Sequence, residues 1–455
     1  MRTVQCLLAA AISLGLMSPL QSIADASFRI EIFDNPDFGF NDPTPVAPIG
    51  GNQATTLGEQ RLNALREAVA IWAATIDSPI EIVILTKWWD GIGGPLASAE
   101  VAFWMRDFAG APRANTWYPL ALANKLAGVD FCPPPEGGDC GGDYDVFIDF
   151  FSEHRFYLGL DGNLPDDEFD LVSVSLHEIG HGLGITTRFT SPQMTQGPPE
   201  SPRSSNAIYH YFLEHHFFDR TFPQMTFFER SVAAVGGRFL HWIGPRGMAA
   251  AESLTVGRDP SGHLLLFAGA NNVSMIHLIH DVSPPNFMSV SLAGSPRDTT
   301  IAYSMLADLG WEEHCPGDCN ADGRITISEL LRAVRMALAR ESLVRCAMLN
   351  VDDDGVVRVT ELIRAVNSSL NGCGGASVRL SAEDRAVSIE VVRRDPAQST
   401  AVGQPVGEEF EAQLSGPAGG VLGREVGSGY AMRPYVDSHG RVWAGCGGGT
   451  DPSLD

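Results

Sequence analysis

The sequence predicts an α+β protein in which a mixed unit of helices and strands precedes a small all-α module. Hydrophobic residues make up 44% of the 455 residues and charged residues 19%, a balance typical of chains that build folded cores. Helical periodicity alternates with short β-branched and aromatic runs as far as Trp311. After Trp311 a helical motif occurs twice. A chain of this length commonly holds more than one domain.

Residues 1–26 are expected to form a cleaved export signal. Arg2 precedes an apolar run that ends at Leu20, and an A-x-A pattern closes at Ala26. The run is short for a membrane span, and no other stretch approaches the roughly 18 apolar residues that a span needs. We therefore expect secretion, cleavage after Ala26 and no transmembrane anchor.

The charge balance restricts the partners. Asp and Glu number 55 against 31 Lys and Arg, and the formal net charge is −24. Such a surface repels phosphate backbones and anionic lipid, so nucleic acid is not expected to bind. We expect a monomer that acts on proteins or peptides.

Residues 27–313 are predicted to form the first unit. Apolar residues at helical spacing predict a helix over Glu59 to Ala74, and β-branched and aromatic residues predict strands over Ile80 to Leu85 and Val146 to Phe151. The remaining helices are predicted at Asp166 to Leu183, at Asn206 to Phe218, after the capping box Thr226 to Glu229, and at Thr300 to Trp311.

The most informative motif is H-E-x-x-H at residues 177–181. Four residues advance a helix by about 400°, so His177 and His181 share one face and can bind one zinc ion. Glu178 lies beside them and is predicted to be the general base for zinc-activated water. A purely structural helix has little reason to bury these three side chains, because each would need compensation.

A catalytic zinc ion needs a third protein ligand. The compact pattern H-E-x-x-H-x-x-G-x-x-H would place it at residue 187, which is Thr187, so the ligand comes from elsewhere. A turn-rich stretch offers His277 and His280, followed by Met288. On the residues alone, His277, His280 and other histidines of the unit remain candidates.

Residues 177–184 resemble the active-site helix of the metzincin zinc peptidases, and residues 27–311 resemble bacterial secreted members of that class. A distant histidine followed by a methionine turn is similar to the leishmanolysin-like arrangement. The resemblance implies a zincin domain with a twisted sheet and an active-site helix, one catalytic Zn²⁺, His277 as third ligand with His280 as the alternative, and Met288 as the turn methionine.

Residues 314–374 contain two twelve-residue loops that fit the EF-hand pattern, each followed by a helix. The motif Glu329 to Val334 recurs as Glu361 to Val366, which predicts a duplicated module with two Ca²⁺ ions. The predicted ligands are Asp318, Asn320, Asp322, Arg324 (by its carbonyl) and Glu329 in the first loop, and Asn350, Asp352, Asp354, Val356 (by its carbonyl) and Glu361 in the second.

This module resembles the dockerins, and the resemblance implies a cohesin-like docking partner. Residues 375–455 turn to Gly, Ser, Pro and Glu, and are expected to be a weakly ordered tail or a small β segment. Once the leader with Cys6 is removed, seven cysteines remain. In an oxidising compartment we expect Cys132 to pair with Cys140 and leave Cys446 over. The remaining four allow three connectivities: Cys315, Cys319, Cys346 and Cys373.

The predicted function is therefore that of a secreted zinc metalloendopeptidase. The alternative is a catalytically inactive zincin fold that serves as a calcium-dependent adhesion or scaffold protein. A zinc hydrolase of non-peptide substrates is a third interpretation.

Overall fold

A computed structural model shows a mixed α+β protein, as predicted. The structure describes residues 26–91, 94–132, 142–187, 206–235, 237–269, 275–312, 317–320, 324–342, 346, 349, 356–371 and 388–394, together with the backbone of 411–413, 421–423, 430–436 and 442–446. The predicted export signal therefore lies outside the described residues. Among those described, no helix is both long and apolar enough to span a bilayer.

The strands are β1 (Phe28–Ile32), β2 (Ile82–Trp89), β3 (Ala97–Val101), β4 (Trp104–Arg106), β5 (Tyr118–Pro119), β6 (Val146–Phe151), β7 (Phe156–Tyr157), β8 (Phe169–Asp170), β9 (Leu213–His215), β10 (Arg220–Thr221), β11 (Gly237–Trp242), β12 (Leu264–Ala268), β13 (Ser291–Leu292), β14 (Ile389–Arg393), β15 (Glu411–Gln413), β16 (Val421–Gly423), β17 (Tyr430–Val436) and β18 (Val442–Cys446). The α-helices are α1 (Leu57–Ala73), α2 (Leu120–Ala127), α3 (Leu171–Leu183), α4 (Phe227–Ala234), α5 (Pro245–Ala250), α6 (Thr300–Leu306), α7 (Ile327–Ala337) and α8 (Val359–Asn371).

The largest sheet has the strand order β13-β18-β17-β3-β6-β2-β1-β14. The strands β14, β1, β2 and β6 run parallel, and β3 then pairs antiparallel with β6. Helix α3 packs against β3 and β6 on one side and against α1 on the other. The H-E-x-x-H helix therefore packs directly on the large sheet.

A second sheet, β10-β9-β11-β12, is antiparallel and follows α3 in the chain. The prediction of a helix over residues 206–218 was wrong, because this segment forms a short 3-10 turn (Ile208–Phe212) and then strand β9. Its aromatic residues have high strand propensity, and tertiary pairing of Leu213 with Trp242 on β11 outweighs the helical spacing.

The other predicted helices form, with shifted ends. The helix that carries H-E-x-x-H begins at Leu171 rather than at Asp166, and the helix opened by Thr226 is α4. The helix predicted at Thr300 to Trp311 divides into α6 and a π turn over Ala307–Trp311. The strand expected at Ile80 to Leu85 runs instead from Ile82 to Trp89.

The region after residue 375 contributes strands to the first unit. β14 extends the large sheet beside β1, β17 pairs with β3, and β16 pairs with β4 in a third sheet. Its short apolar runs therefore complete hydrogen-bond ladders that begin some 300 residues earlier in the chain.

Helices α7 and α8 have a small apolar core of their own, formed by Ala333, Met336, Cys346, Leu349, Val357 and Ala365. A disulfide joins Cys319 to Cys346 and anchors the first loop to this core. Cys132 is also disulfide-bonded, whereas Cys140, Cys315 and Cys373 lie outside the described residues.

Candidate metal centre

The helix α3, which carries the H-E-x-x-H motif, has well-defined ends. Asp170 caps its first turn by accepting hydrogen bonds from the backbone and hydroxyl of Ser173. Gly184 ends the helix with a φ of 135°, a conformation that residues with a Cβ rarely adopt. This turn brings the chain back, so the Ile185 carbonyl lies 2.7 Å from Nδ1 of His181.

Packing on all sides fixes the position of α3. All of its 13 residues are buried, which explains why its sequence is apolar around almost the whole circumference. Trp72 of α1 donates from Nε1 to the Leu176 carbonyl, and Trp311 donates from Nε1 to the Leu183 carbonyl. These two indoles bond the backbone on either side of His177 and His181.

The third histidine reaches the helix from the second sheet. Phe267 of β12 donates from its backbone to the His277 carbonyl over 2.9 Å, and Leu278 forms isolated bridges to Leu266 and Ser289. Backbone hydrogen bonds therefore hold the segment on two sides, and they fix the position of the His277 imidazole.

A turn at residues 286–289 contacts helix α3 at His177 and Gly180. The Asn286 side chain accepts from the backbone of Met288, and the Phe287 carbonyl lies 2.5 Å from Nδ1 of His177. Met288 is fully buried, and its Sδ would lie 2.9 Å from a Cβ at position 180. Gly180 thus leaves the space that Met288 occupies beneath the helix.

Three imidazole nitrogens converge at this point. Nε2 of His181 lies 2.9 Å from Nε2 of His177 and 3.1 Å from Nε2 of His277, and the third distance is 3.2 Å. All three rings are at most 1% exposed. The structure therefore brings together the three histidines that the resemblance implied, although they are far apart in the chain.

The outer nitrogens determine the protonation of two rings. Carbonyl oxygens can only accept, so His177 and His181 carry their proton on Nδ1 and direct the Nε2 lone pair inward. Burial lowers the pKa of His177 to about 4, and burial together with the two neighbouring imidazoles lowers the pKa of His181 well below its usual value. Both rings are neutral at pH 7, as metal ligation requires.

Glu178 is the buried acid of the site. Its side chain is fully buried, and neither carboxyl oxygen has a hydrogen-bond partner among the described residues. Burial raises the pKa of Glu178 well above its usual value. An unpaired buried carboxyl is costly, and such groups concentrate at sites where a ligand or a reaction needs them.

The donor set fits a zinc ion. Ligands at about 2.0–2.1 Å in a tetrahedral arrangement lie about 3.3 Å from one another, close to the spacing of the three Nε2 atoms. Converging lone pairs repel one another unless a cation lies between them. Three converging imidazoles, two of them with Nδ1 held by a backbone carbonyl, match the three-histidine ligand set of open zinc sites.

The other candidates lie elsewhere. Nδ1 of His280 lies 2.6 Å from the Ser291 hydroxyl, and its ring packs on Phe267. His210 is buried, and its Nδ1 accepts from the Ala207 backbone. Thr187 is buried just beyond the end of α3, at the position that a compact motif would give to a histidine.

The structure describes only part of the two predicted calcium loops. In the first loop, the buried carboxylate of Glu329 accepts from the backbones of Cys319, Asn320 and Thr326. In the second loop, buried Glu361 accepts from the Arg358 backbone. Asp318 is buried and Arg324 and Val356 are exposed. Four predicted ligands lie outside the described residues: Asp322, Asn350, Asp352 and Asp354.

Ile325 and Val357 occupy the eighth position of the two loops, where the sequence predicts a short strand shared between them. Neither Ile325 nor Val357 lies in a strand, and the Ile325 carbonyl accepts instead from the Ser369 hydroxyl of α8 over 3.0 Å. The short strand expected between paired loops is therefore not formed at these residues.

The fold and the site together describe an α+β protein with a buried three-histidine cluster on an H-E-x-x-H helix. No family model, no curated protein and no solved structure matches this chain.

Sequence reasoning missed the backbone acceptors of the centre. The carbonyls of Phe287 and Ile185 orient His177 and His181, but a carbonyl belongs to every residue and leaves no mark in the sequence. Gly184 and Asn286 are the only local signals, because one allows the turn and the other orders it.

Proposed function

We propose that this chain is a secreted, zinc-dependent endopeptidase of the metzincin type. The observation that carries the proposal is the convergence of three Nε2 atoms within 3.2 Å beside a buried carboxyl that has no hydrogen-bond partner among the described residues. His177, His181 and His277 would hold the ion, and Glu178 would handle the proton.

The chain's own residues account for much of the chemistry. A zinc ion, when bound, supplies a Lewis acid that polarises a carbonyl and makes water more acidic. Glu178 takes a proton from the attacking water and returns it to the leaving amine. The buried rings and Met288 keep bulk water away from the ligands.

Hydrolysis of denatured casein and of a peptide library by the purified full chain tests this proposal. Activity is expected to disappear on chelation and to return with added Zn²⁺. A chain that binds zinc but cleaves no peptide would favour the scaffold interpretation or a non-peptide substrate.

We further propose that residues 314–374 are a calcium-binding, dockerin-like module. The support is a pair of buried glutamates, Glu329 and Glu361, at the last position of each loop. Buried carboxylates are rare unless they are paired or bind a metal. The backbone hydrogen bonds of Glu329 offer a second explanation, since Thr326 and Glu329 form a capping box.

Replacing both loop glutamates by glutamine separates calcium binding from capping. Glutamine can still accept the capping hydrogen bonds, but it lacks the charge and the bidentate oxygens that calcium needs. We expect Glu329→Gln with Glu361→Gln to weaken calcium binding on the order of 100-fold, measured by calorimetric titration. Helix content by circular dichroism should stay unchanged.

Glu341→Gln is the matched control, because Glu341 pairs with Arg332 outside the two loops. It should titrate with calcium like the unaltered chain. Equal calcium affinity in the double variant would assign the two glutamates to capping alone.

The helices of this module present matching apolar stripes to solvent. Three exposed apolar residues of α7 and Leu338 directly after it recur on α8 at the same positions of the repeat: Ile327 and Val359, Leu331 and Ile363, Val334 and Val366, Leu338 and Leu370. They are 41–78% exposed and follow helical spacing along one face of each helix. Duplicated stripes of this kind favour a docking surface, and the resemblance to dockerins makes a cohesin-like domain the proposed partner.

Charged residues in one stripe should abolish docking without unfolding the module. We expect Leu331→Glu with Val334→Glu to lose binding to cohesin-like domains in a surface-immobilised panel, because apolar contacts at an interface core do not tolerate buried charge. The equivalent change in α8, Ile363→Glu with Val366→Glu, is the matched test of the second face. The docking proposal would be contradicted if the full chain carrying both double changes still bound these domains.

A further inference from the structure

A second cluster of metal-ligating side chains lies on the sheet β10-β9-β11-β12, away from the three-histidine centre. Glu214 on β9 and His241 on β11 are direct partners in the antiparallel register. Asp259 and His263 lie in the loop that leads into β12. None of these four residues takes part in the chemistry proposed above.

The four side chains form a continuous chain of close contacts. Nδ1 of His241 lies 3.3 Å from a carboxylate oxygen of Glu214 and 3.6 Å from Oδ2 of Asp259. The same Oδ2 lies 3.0 Å from Nδ1 of His263. One ligand atom each of Glu214, His241 and His263 lie within 4.8 Å of one another, so these three side chains converge.

Two members of the cluster are buried with their polar atoms unsatisfied. Glu214 is 4% exposed and His241 is 3% exposed. Within the described part of the chain, neither Oε2 of Glu214 nor Nδ1 of His241 has a hydrogen-bond partner, although they face each other at 3.3 Å. Leaving two such atoms unsatisfied in the interior is costly, which indicates that another atom belongs between them.

The loop that carries Asp259 and His263 is held by its own hydrogen bonds. Oδ1 of Asp259 accepts from the backbones of Ser261 and His263, and the Asp259 backbone donates to the His263 carbonyl. Asp259 is therefore fixed by one oxygen and presents the other to His241 and His263. Preordered ligands reduce the entropy that ion binding would cost.

We propose that Glu214, His241 and His263 bind a second divalent transition metal, with Zn²⁺ as the expected ion and Asp259 holding the His263 ring in place. Two imidazoles and a carboxylate are ligands that zinc accepts, and a water molecule would complete a four-coordinate site. His216, which is exposed, lies within ligand distance of His241 and Asp259 at the rim of the cluster.

The second ion would stabilise the support of the first site. It would join β9, β11 and the loop before β12, and Phe267 of β12 donates the hydrogen bond that holds His277. Metal at the second site is therefore expected to raise the thermal stability of the sheet whose strand β12 is hydrogen-bonded to His277. This proposal does not depend on peptidase activity.

Metal stoichiometry of the full chain tests the proposal. The protein is stripped with a chelator, reloaded with Zn²⁺ in excess Ca²⁺ so that the EF-hand loops are filled, and desalted. Two zinc equivalents are expected in the unaltered chain, one in His241→Ala and one in His277→Ala. Replacing Zn²⁺ by Co²⁺ should give an absorption band of a four-coordinate nitrogen and oxygen site that persists in His277→Ala and disappears in His241→Ala.

His263→Asn is a second variant that is expected to fold, because His263 is partly exposed in a loop. It should also bind one equivalent of zinc. His154→Asn, which changes a histidine outside both clusters, should keep two. A single equivalent in the unaltered chain that His277→Ala removes, or two equivalents retained in His263→Asn, would overturn the second site. A single equivalent that only His241→Ala and His263→Asn remove would support it while contradicting the peptidase centre.

Discussion

Replacing Glu178 by alanine is expected to abolish peptide hydrolysis while zinc remains bound. Glu178 lies on the same turn of α3 as His177 but is not one of the three converging nitrogen ligands. Losing a general base typically lowers kcat/KM by about 10²–10⁴-fold. The measurement is the initial rate of cleavage of a fluorogenic peptide, with zinc content determined on the same preparation.

Glu252→Ala is the control for this change, because Glu252 is an exposed acid on a surface turn. It should cleave at the unaltered rate. Full activity of Glu178→Ala with zinc bound would remove the basis for a peptidase of this kind.

The same substitution has a second expected consequence, for stability. Glu178 is fully buried, and its carboxyl makes no hydrogen bond to the described residues. In the metal-free chain, no hydrogen bond therefore offsets the desolvation free energy of this carboxyl. We therefore expect metal-free Glu178→Ala to melt no lower than the metal-free parent, although buried truncations usually destabilise. A loss of activity without a loss of stability separates a catalytic role from a structural one.

His277→Ala is expected to lose stoichiometric zinc at the three-histidine centre. Its Nε2 lies 3.1 Å from Nε2 of His181 and 3.2 Å from Nε2 of His177, and two imidazoles alone hold the ion poorly. Affinity for Zn²⁺ should fall by more than about 100-fold, because even indirect contacts to a metal are worth 10–100-fold. Competition with a chromophoric chelator measures this change.

His280→Ala is the matched control, three residues along the same segment. His280 bonds to the Ser291 hydroxyl and packs on Phe267, so its loss should cost about 1 kcal/mol of stability and leave zinc affinity unchanged. Zinc lost from His280→Ala but retained in His277→Ala would reassign the third ligand and leave the class of enzyme as proposed.

Local periodicity was sufficient to predict half of the centre. His177 and His181 are one helical turn apart, so any helix through this segment places them on one face, and the structure brings their Nε2 atoms to 2.9 Å. Local rules worked equally well for α1, α4 and the repeated helices α7 and α8. Caps and apolar spacing act over a few residues and can be read directly.

Contacts between distant segments were harder to predict from the sequence. His277 is 96 residues from His181, and its imidazole reaches the centre because β12 and the turn at Met288 both bond its segment. The resemblance to known peptidases favoured His277, but the residues alone left His280 open. The segment at 206–218 was predicted as a helix for a related reason, since its pairing with β10 and β11 makes Leu213 to His215 a strand.

Two features depended entirely on tertiary structure. The tail after residue 375 reads as short apolar runs, yet strands such as β14 and β17 join the large sheet, because an edge strand supplies the hydrogen-bond partners that the tail lacks by itself. The cluster around His241 likewise collects side chains from two strands and a loop.

The sequence alone established the α+β class, the helix that presents two imidazoles and a carboxylate, and the duplicated loops, because each is encoded within about a dozen neighbouring residues. The tertiary structure decided which distant histidine completes the centre, which carbonyls orient its rings and where the second cluster forms. Those depend on sheet register and packing between segments far apart in the chain, which no local pattern specifies.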